Sequence, residues 1–227
     1  MSSKEEKRKI TRAAGHISIA VMISRVLGYI RDMLLAGVFG ATGSTDAFYI
    51  AYRVPNLMRN LFAEGSISAA FIPVLTSYMS NEGVKEARIL VRVVFTFMCI
   101  LLLLICTLGI IFAPYIIYVI APGFVDEPQK FELTVLLTRI MFPFLFFISI
   151  ASLMMGVHNV LGSFFIPAVA SALFNLSIIF SVLFLRHFFN IPLIAVALGV
   201  VLGGLAQLLI QLPLLLKNRF YPIPTLK

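Results

Sequence analysis

Charge is what this chain has least of: Asp, Glu, Lys and Arg make up 12% of its 227 residues, against roughly a quarter in a soluble domain. Hydrophobic residues make up 60%, and the mean hydropathy is +1.02, which excludes water as the main solvent. Cysteine is nearly absent. Cys99 and Cys106 lie seven residues apart in one apolar run, about 10 Å along one helix face and beyond disulfide reach, so they read as small packing residues. Catalytic signatures are missing as well: there is no H-E-x-x-H, no phosphate-binding glycine loop leading to Lys-Ser/Thr and no cluster of Cys and His ligands. His16, His158 and His187 are far apart in sequence and are expected at membrane interfaces, without metal or acid-base roles. No internal repeat or low-complexity tract is visible.

What the chain does have is long apolar runs. A spanning helix needs about 20 mostly apolar residues, and four runs carry no charge: Val93 to Ile120, Ile140 to Val157, Leu161 to Leu185 and Ile191 to Leu216. Two earlier segments, Ile17 to Phe39 and Thr45 to Met79, are apolar enough to insert but are interrupted by charged residues. The expected architecture is an all-α membrane protein, a six-transmembrane-helix bundle. A basic tail covers 1–12, the bundle 13–220 with spans near 13–40, 45–79, 90–120, 134–158, 161–186 and 191–217, and a short linker 221–227. The second span would be about 50 Å long as one helix, so Pro55, Gly65 and Pro73 are candidate break points. Ser80 to Arg92 is expected to be a charged cytoplasmic connection that includes an amphipathic turn, and Ala121 to Glu132 an exposed outer loop. Gly199 and Gly203 form a small-xxx-small pair, read as ordinary helix packing rather than a dimer interface.

The basic tail leads into a long segment holding Arg25, Arg31 and Asp32 rather than a short uncharged core, so no cleavable signal peptide is expected. The formal charge of +8 is distributed for a membrane rather than for nucleic acid. Lys4, Lys7, Arg8, Lys9 and Arg12, then Lys85, Arg88 and Arg92, then Lys217, Arg219 and Lys227 fall on one side of a six-span topology. Only Lys130 and Arg186 fall on the other. By the positive-inside rule both ends are expected in the cytoplasm.

The remaining basic residues, Arg25, Arg31, Arg53, Arg59 and Arg139, lie in or at the ends of spans. A charge at a helix centre costs roughly 2.5–3.5 kcal/mol on insertion scales, which directs such residues to an interior or water-lined place. Helical rise predicts two tiers: an outer one of Arg31, Asp32, Asp46 and Arg53, and an inner one of Arg25 and Arg59 with Glu64 deeper. Arg25, Gly28 and Asp32 share one helix stripe, with Arg31 about 120° away and reaching the same cavity from its flank or through its long side chain. Asn56, Arg59 and Asn60 form a polar patch beyond Pro55. Four arginines against three acids leave a cation unmatched, and a buried unpaired charge is strongly unfavourable. A hydrated cavity that receives an anion resolves this, and Arg rather than Lys favours phosphate, which its planar fork grips through two bonds. The competing expectation is a structural ion-pair network locking the first two spans together.

Ser24-Arg25-Val26-Leu27-Gly28, Arg31-Asp32, Thr45-Asp46-Ala47-Phe48, Pro55-Asn56-Leu57-Met58-Arg59 and Phe62-Ala63-Glu64-Gly65 resemble, in order and spacing, the start of the bacterial lipid II flippases, the MurJ (MviN) family. The stretch from Arg139 through Phe142-Pro143 to Pro167 and Asn175 is similar to the same family, so the likeness covers almost the whole chain. It implies a lobe of a two-lobe exporter of the multidrug/oligosaccharidyl-lipid/polysaccharide superfamily. Such a protein moves undecaprenyl-pyrophosphate-linked peptidoglycan precursor across the bacterial inner membrane by alternating access. The resemblance further implies that Arg25, Arg31 and Arg59 face the cavity as substrate-binding residues together with Asp46. Asp32, Arg53, Asn56 and Glu64 are expected in support as cavity or ion-pair residues; Arg53 is a looser match.

At six spans the chain resembles only the N-terminal lobe, so a fragment or half of a split protein is expected, with a missing C-terminal lobe as partner. No cofactor is expected, and any coupling-ion site would belong to that other lobe. The expected partners are lipid II and membrane lipids. Two alternatives stand beside this reading. One is a polysaccharide-lipid or drug exporter of the same superfamily, although a drug exporter should favour cations. The other is a nontransporting membrane assembly module, whose capture of partners would survive loss of the arginines.

Overall fold

A computed structural model of the chain describes residues 3–59 and 66–224. Among these residues every regular element is a helix: α1 (Ser3–Phe39), α2 (Gly43–Arg59), α3 (Ser66–Asn81), α4 (Val84–Ile111), α5 (Ala113–Ile120), α6 (Pro128–Val160), α7 (Phe165–Leu183), α8 (Pro192–Leu209) and α9 (Leu212–Lys217). Short 3-10 turns at Pro122–Phe124 and Leu185–Phe188 lie in the connections. Four stretches are long and apolar enough to cross a membrane: Val84–Ile111, Pro128–Val160, Phe165–Leu183 and Pro192–Lys217. The protein is therefore an all-α integral membrane bundle. The helices α1, α2 and α3 carry or adjoin the charged segments.

The central post is α6, which packs against α2, α3, α4, α5 and α8, while α7 joins α8 to α1. Position in the bundle follows from side-chain volume and polarity. Leu137, Met141, Phe144 and Ile148 of α6 meet Phe48 and Ala51 of α2, Phe174 and Ile178 of α7 and Val196 and Val200 of α8. Toward the other end of α6, Leu153, Met154 and Val157 meet Phe71 and Leu75 of α3 and Met98 and Leu102 of α4. Large apolar side chains such as Met22, Val26 and Tyr29 of α1 and Phe97, Leu103 and Leu104 of α4 point outward, as expected where the solvent is hydrocarbon.

Several sequence expectations about breaks and connections need correction. Helix α2 runs through Pro55 and α3 through Pro73, so neither proline ends a helix; Asn60, Glu64 and Gly65 lie outside the described residues. The connection expected over Ser80 to Arg92 shrinks to the residues between Asn81 and Val84, with Gly83 at φ 89°, so Lys85, Arg88 and Arg92 are on α4. His158, expected at an interface, is fully buried and donates from Nε2 to the Gln211 carbonyl at 3.0 Å. The uncharged run from Val93 to Ile120 is divided between two helices rather than lying in one. Pro114 has no N–H to offer the Ile110 carbonyl one turn earlier, and Arg139 Nε of α6 donates to that oxygen at 3.1 Å. One intramembrane arginine is thereby explained as the donor that a helix break requires.

Gly199 and Gly203 are packing positions within the chain. A Cβ at Gly203 would sit 2.7 Å from Phe174 Cδ2 and 3.1 Å from the Phe174 carbonyl, and one at Gly199 would strike the Ser181 hydroxyl. Ser177 Oγ donates to the Gly199 carbonyl at 2.9 Å, so α7 and α8 approach closely along this seam. Cys106 is buried and donates to the Phe142 carbonyl at 3.4 Å; Cys99 is half-buried, and both are free thiols. Past α9, Phe220 is buried, Arg88 lies over its ring at 5.6 Å, and Arg92 lies 6.0 Å from the Tyr221 ring.

Two stability predictions follow from these contacts. Gly203→Leu should lower the melting temperature of the detergent-solubilised chain by overpacking the α7–α8 seam, about 1–3 kcal/mol. Gly37→Leu, at a site with open space around it, should leave melting unchanged. Arg139→Met should also lower melting, by about 1 kcal/mol through the orphaned Ile110 carbonyl, with Arg139→Lys between the two; unaltered melting of Arg139→Met would refute that role.

Candidate functional site

The side chains of α1 that matter lie on or beside the face it presents to α7. Ala20, Ser24, Leu27, Gly28, Arg31 and Leu35 are its more buried positions, and Arg25 flanks them. Helix α2 is buried along Phe48, Ala51, Val54 and Pro55, which leaves Tyr52, Asn56 and Arg59 on one flank. Between these flanks opens a cavity of about 450 Å³. Ser24, Arg25, Gly28 and Arg31 of α1 form one wall, Tyr52, Asn56 and Arg59 of α2 another, and Ser171 and Asn175 of α7 with Gln207 of α8 close it. Phe144 and Phe174, stacked with centroids 5.3 Å apart, also line it.

Asn175 organises the α1 wall. Its Oδ1 accepts from Arg31 Nη1 at 2.9 Å, and its Nδ2 donates to the Ser24 carbonyl at 3.0 Å. Gly28 faces the amide, and a Cβ there would come to 3.6 Å of Asn175 Nδ2, an ordinary contact, so the arrangement does not depend on a glycine. Arg31 also donates from Nε to Asp32 at 2.9 Å, and its Nη2 lies 2.9 Å from the same carboxylate oxygen. Of that pair Arg31 is mostly covered, with 22% of its side chain accessible, while Asp32 is 60% accessible.

The structure thus brings together three of the expected site arginines, Arg25, Arg31 and Arg59, with Asn56. It does not bring Asp32 onto the wall. The stripe expected through Arg25, Gly28 and Asp32 is replaced by one through Arg25, Gly28 and Arg31, because the face packed on α7 includes Arg31 and Asp32 turns to meet that guanidinium. Asp46 stands apart as well: in the first turn of α2 it accepts from Lys130 Nζ at 3.4 Å, and Lys130 also approaches Glu127 at 3.7 Å. Arg53 is exposed on the side of α2 opposite its packed face and is not on the cavity wall. Glu64 lies outside the described residues. Tyr52, Ser171 and Gln207 were not singled out from the sequence; Gln207 is one of two amides in an otherwise uncharged apolar run, which is the signal that would have found it.

Among the described residues no carboxylate lines this cavity, so three fixed positive charges share one concavity. Arg31 is locally matched by Asp32, and Arg25 has no acidic partner among the described residues. Such an array attracts a multivalent anion and repels a cation. Planar guanidinium forks from two helices suit neighbouring oxyanions better than a single point charge would. Asn56 Oδ1, buried and without a hydrogen-bond partner among the described residues, adds an acceptor beside them.

Comparison with known proteins agrees with the fold and extends it. The family model described as lipid II flippase MurJ matches residues 35–227. The chain is 43% identical over 208 residues to a probable lipid II flippase MurJ from Buchnera aphidicola subsp. Acyrthosiphon pisum, covering 92% of this chain and 41% of that protein. It is 39% identical over 212 residues to lipid II flippase MurJ of Burkholderia cenocepacia, covering 93% and 41%. A solved structure of lipid II flippase MurJ in an inward closed conformation superposes with a TM-score of 0.76 at 27% identity, covering 90% of this chain and 42% of that one. The chain spans about two-fifths of the length of these relatives, corresponding to their N-terminal portion. Matched over most of its length by the family model, the chain belongs to the MurJ family of lipid II flippases.

Proposed function

We propose that this chain is the N-terminal lobe of a lipid II flippase and that Arg25, Arg31 and Arg59 hold the pyrophosphate of undecaprenyl-linked peptidoglycan precursor as it crosses the bacterial inner membrane. The observation that carries the reading is the cavity itself: three arginines from two helices line one concavity whose described lining bears no carboxylate. A pyrophosphate brings negative charge and enough oxygens for several forks. Asn175 sets the Arg31 guanidinium in place before the anion arrives, which reduces the ordering cost of binding. Asp46 contributes at the far end of α2, as the partner of Lys130. The one-sided distribution of Lys and Arg supports a six-span topology with both ends of the segment in the cytoplasm. A second lobe rocking against this one would supply alternating access, with transport rather than catalysis as the activity.

A cationic-drug exporter is disfavoured by the same wall of arginines. An exporter of another lipid-linked saccharide would share the pyrophosphate contacts and differ only in what the sugar meets.

Binding of undecaprenyl pyrophosphate to the chain in nanodiscs tests the reading. Arg25→Ala and Arg59→Ala should each weaken it by about tenfold or more, since a charge-assisted hydrogen bond contributes ~1.5–3 kcal/mol, and the triple variant with Arg31→Ala should abolish it. Undiminished binding by all the single variants would exclude the proposal. Asn175→Ala should weaken binding by about fivefold and loosen α1 from α7, read as faster amide exchange in α1.

A further inference from the structure

Directly adjoining the arginine cavity is a smaller pocket of about 120 Å³, and Arg59, Ser171 and Gln207 belong to the walls of both. Its own polar residues are Ser152 of α6 and Gln211, at the bend where α8 gives way to α9. Gln211 is only 3% exposed, and its position is fixed. Its Nε2 donates to the Gln207 carbonyl at 2.9 Å, and its own carbonyl accepts from the fully buried His158 at 3.0 Å. Its Oε1 has no hydrogen-bond partner among the described residues. A buried carbonyl oxygen left this way costs about 1–3 kcal/mol unless something donates to it.

The chemistry of that donor is restricted. A phosphate oxygen at neutral pH is an acceptor and cannot serve. An ammonium is a donor, but Arg59 on the same wall repels it. What remains is water or the neutral hydroxyl or amide N–H of a ligand, and the pocket's hydroxyl and amide lining suits such a group. The volume corresponds to about four waters at ~30 Å³ each, enough for one edge of a sugar and too little for a disaccharide.

Resting on the proposed pyrophosphate reading, we infer that the Gln211 and Ser152 pocket is a subsite for the hydroxylated or N-acetylated edge of the sugar attached directly to the pyrophosphate. The two pockets share Arg59, so a phosphate held there places the next group of the same molecule at the smaller pocket's mouth. The arginines then recognise the charge that every pyrophosphate lipid carries, and Gln211 distinguishes a glycosylated lipid from a bare one.

The test compares two probes on the chain in nanodiscs: undecaprenyl pyrophosphate, and undecaprenyl pyrophosphate carrying a single N-acetylated sugar. The unaltered chain should prefer the sugar-bearing lipid by about fivefold to tenfold, the effect of one or two added hydrogen bonds. Gln211→Met keeps the volume and should bring the two affinities together while leaving that for the bare lipid unchanged. Ser152→Ala should reduce the preference in the same direction, and decides the matter should the Gln211 variant fail to fold. Equal affinities in the unaltered chain, or a preference that survives both substitutions, overturn the inference and leave the pocket to water. Loss of bare-lipid binding in the Gln211 or Ser152 variants overturns it also. Indifference of bare-lipid binding to the arginine substitutions sinks the pyrophosphate reading instead, and failure of the unaltered chain to bind either lipid sinks both.

Discussion

A guanidinium stays charged at any accessible pH and is expensive to place against hydrocarbon, so each arginine in a membrane segment must find water, an anion or a hydrogen-bond acceptor. This chain meets that constraint in two different ways. Arg139 is taken up by the backbone, covering the Ile110 carbonyl that Pro114 leaves open. Arg25, Arg31 and Arg59 are gathered around a cavity wide enough to stay hydrated. The packing of α1 and α2 follows from this division: apolar stripes are spent on α7 and α6, and the polar flanks turn toward each other.

The bundle gives that cavity a firm back wall. Phe144 and Phe174 stack at its base, on α6 and α7, and the close seam of α7 with α8 at Gly199 and Gly203 leaves little freedom there. The front is less constrained, since α1 exposes Met22, Val26, Tyr29 and Met33 on its other sides. The charged residues of α1 thus stand on a helix held along its α7 face and open on its others.

Much of this was legible in the residues. Uninterrupted apolar runs identify the four strongest spans, and intramembrane arginines mark where a polar space has to be. Helical rise alone could not place Asp32 and Asp46, because their positions depend on partners. Asp32 turns to its sequence neighbour Arg31, and Asp46 meets Lys130, eighty-four positions away. The break at Phe112 depends on Pro114 and on a donor from a distant helix, whereas Pro55 and Pro73 sit inside continuous helices, so proline by itself did not locate the bends. Gln207, Ser171 and Gln211 look unremarkable in an apolar run, and their importance emerges only when α7 and α8 are seen to face Arg59.

The two bonds of the Asn175 amide make α1 and α7 keep step. One reaches a side chain and the other a main-chain oxygen almost two turns away, so a slide of one residue, about 1.5 Å, would strain both together. Axial creep of α1 is therefore resisted, while a tilt of α1 against the fixed α7 is not. Any widening of the mouth at Arg25 then comes from a change of tilt, with the spacing of the arginines along α1 carried unchanged through the stroke.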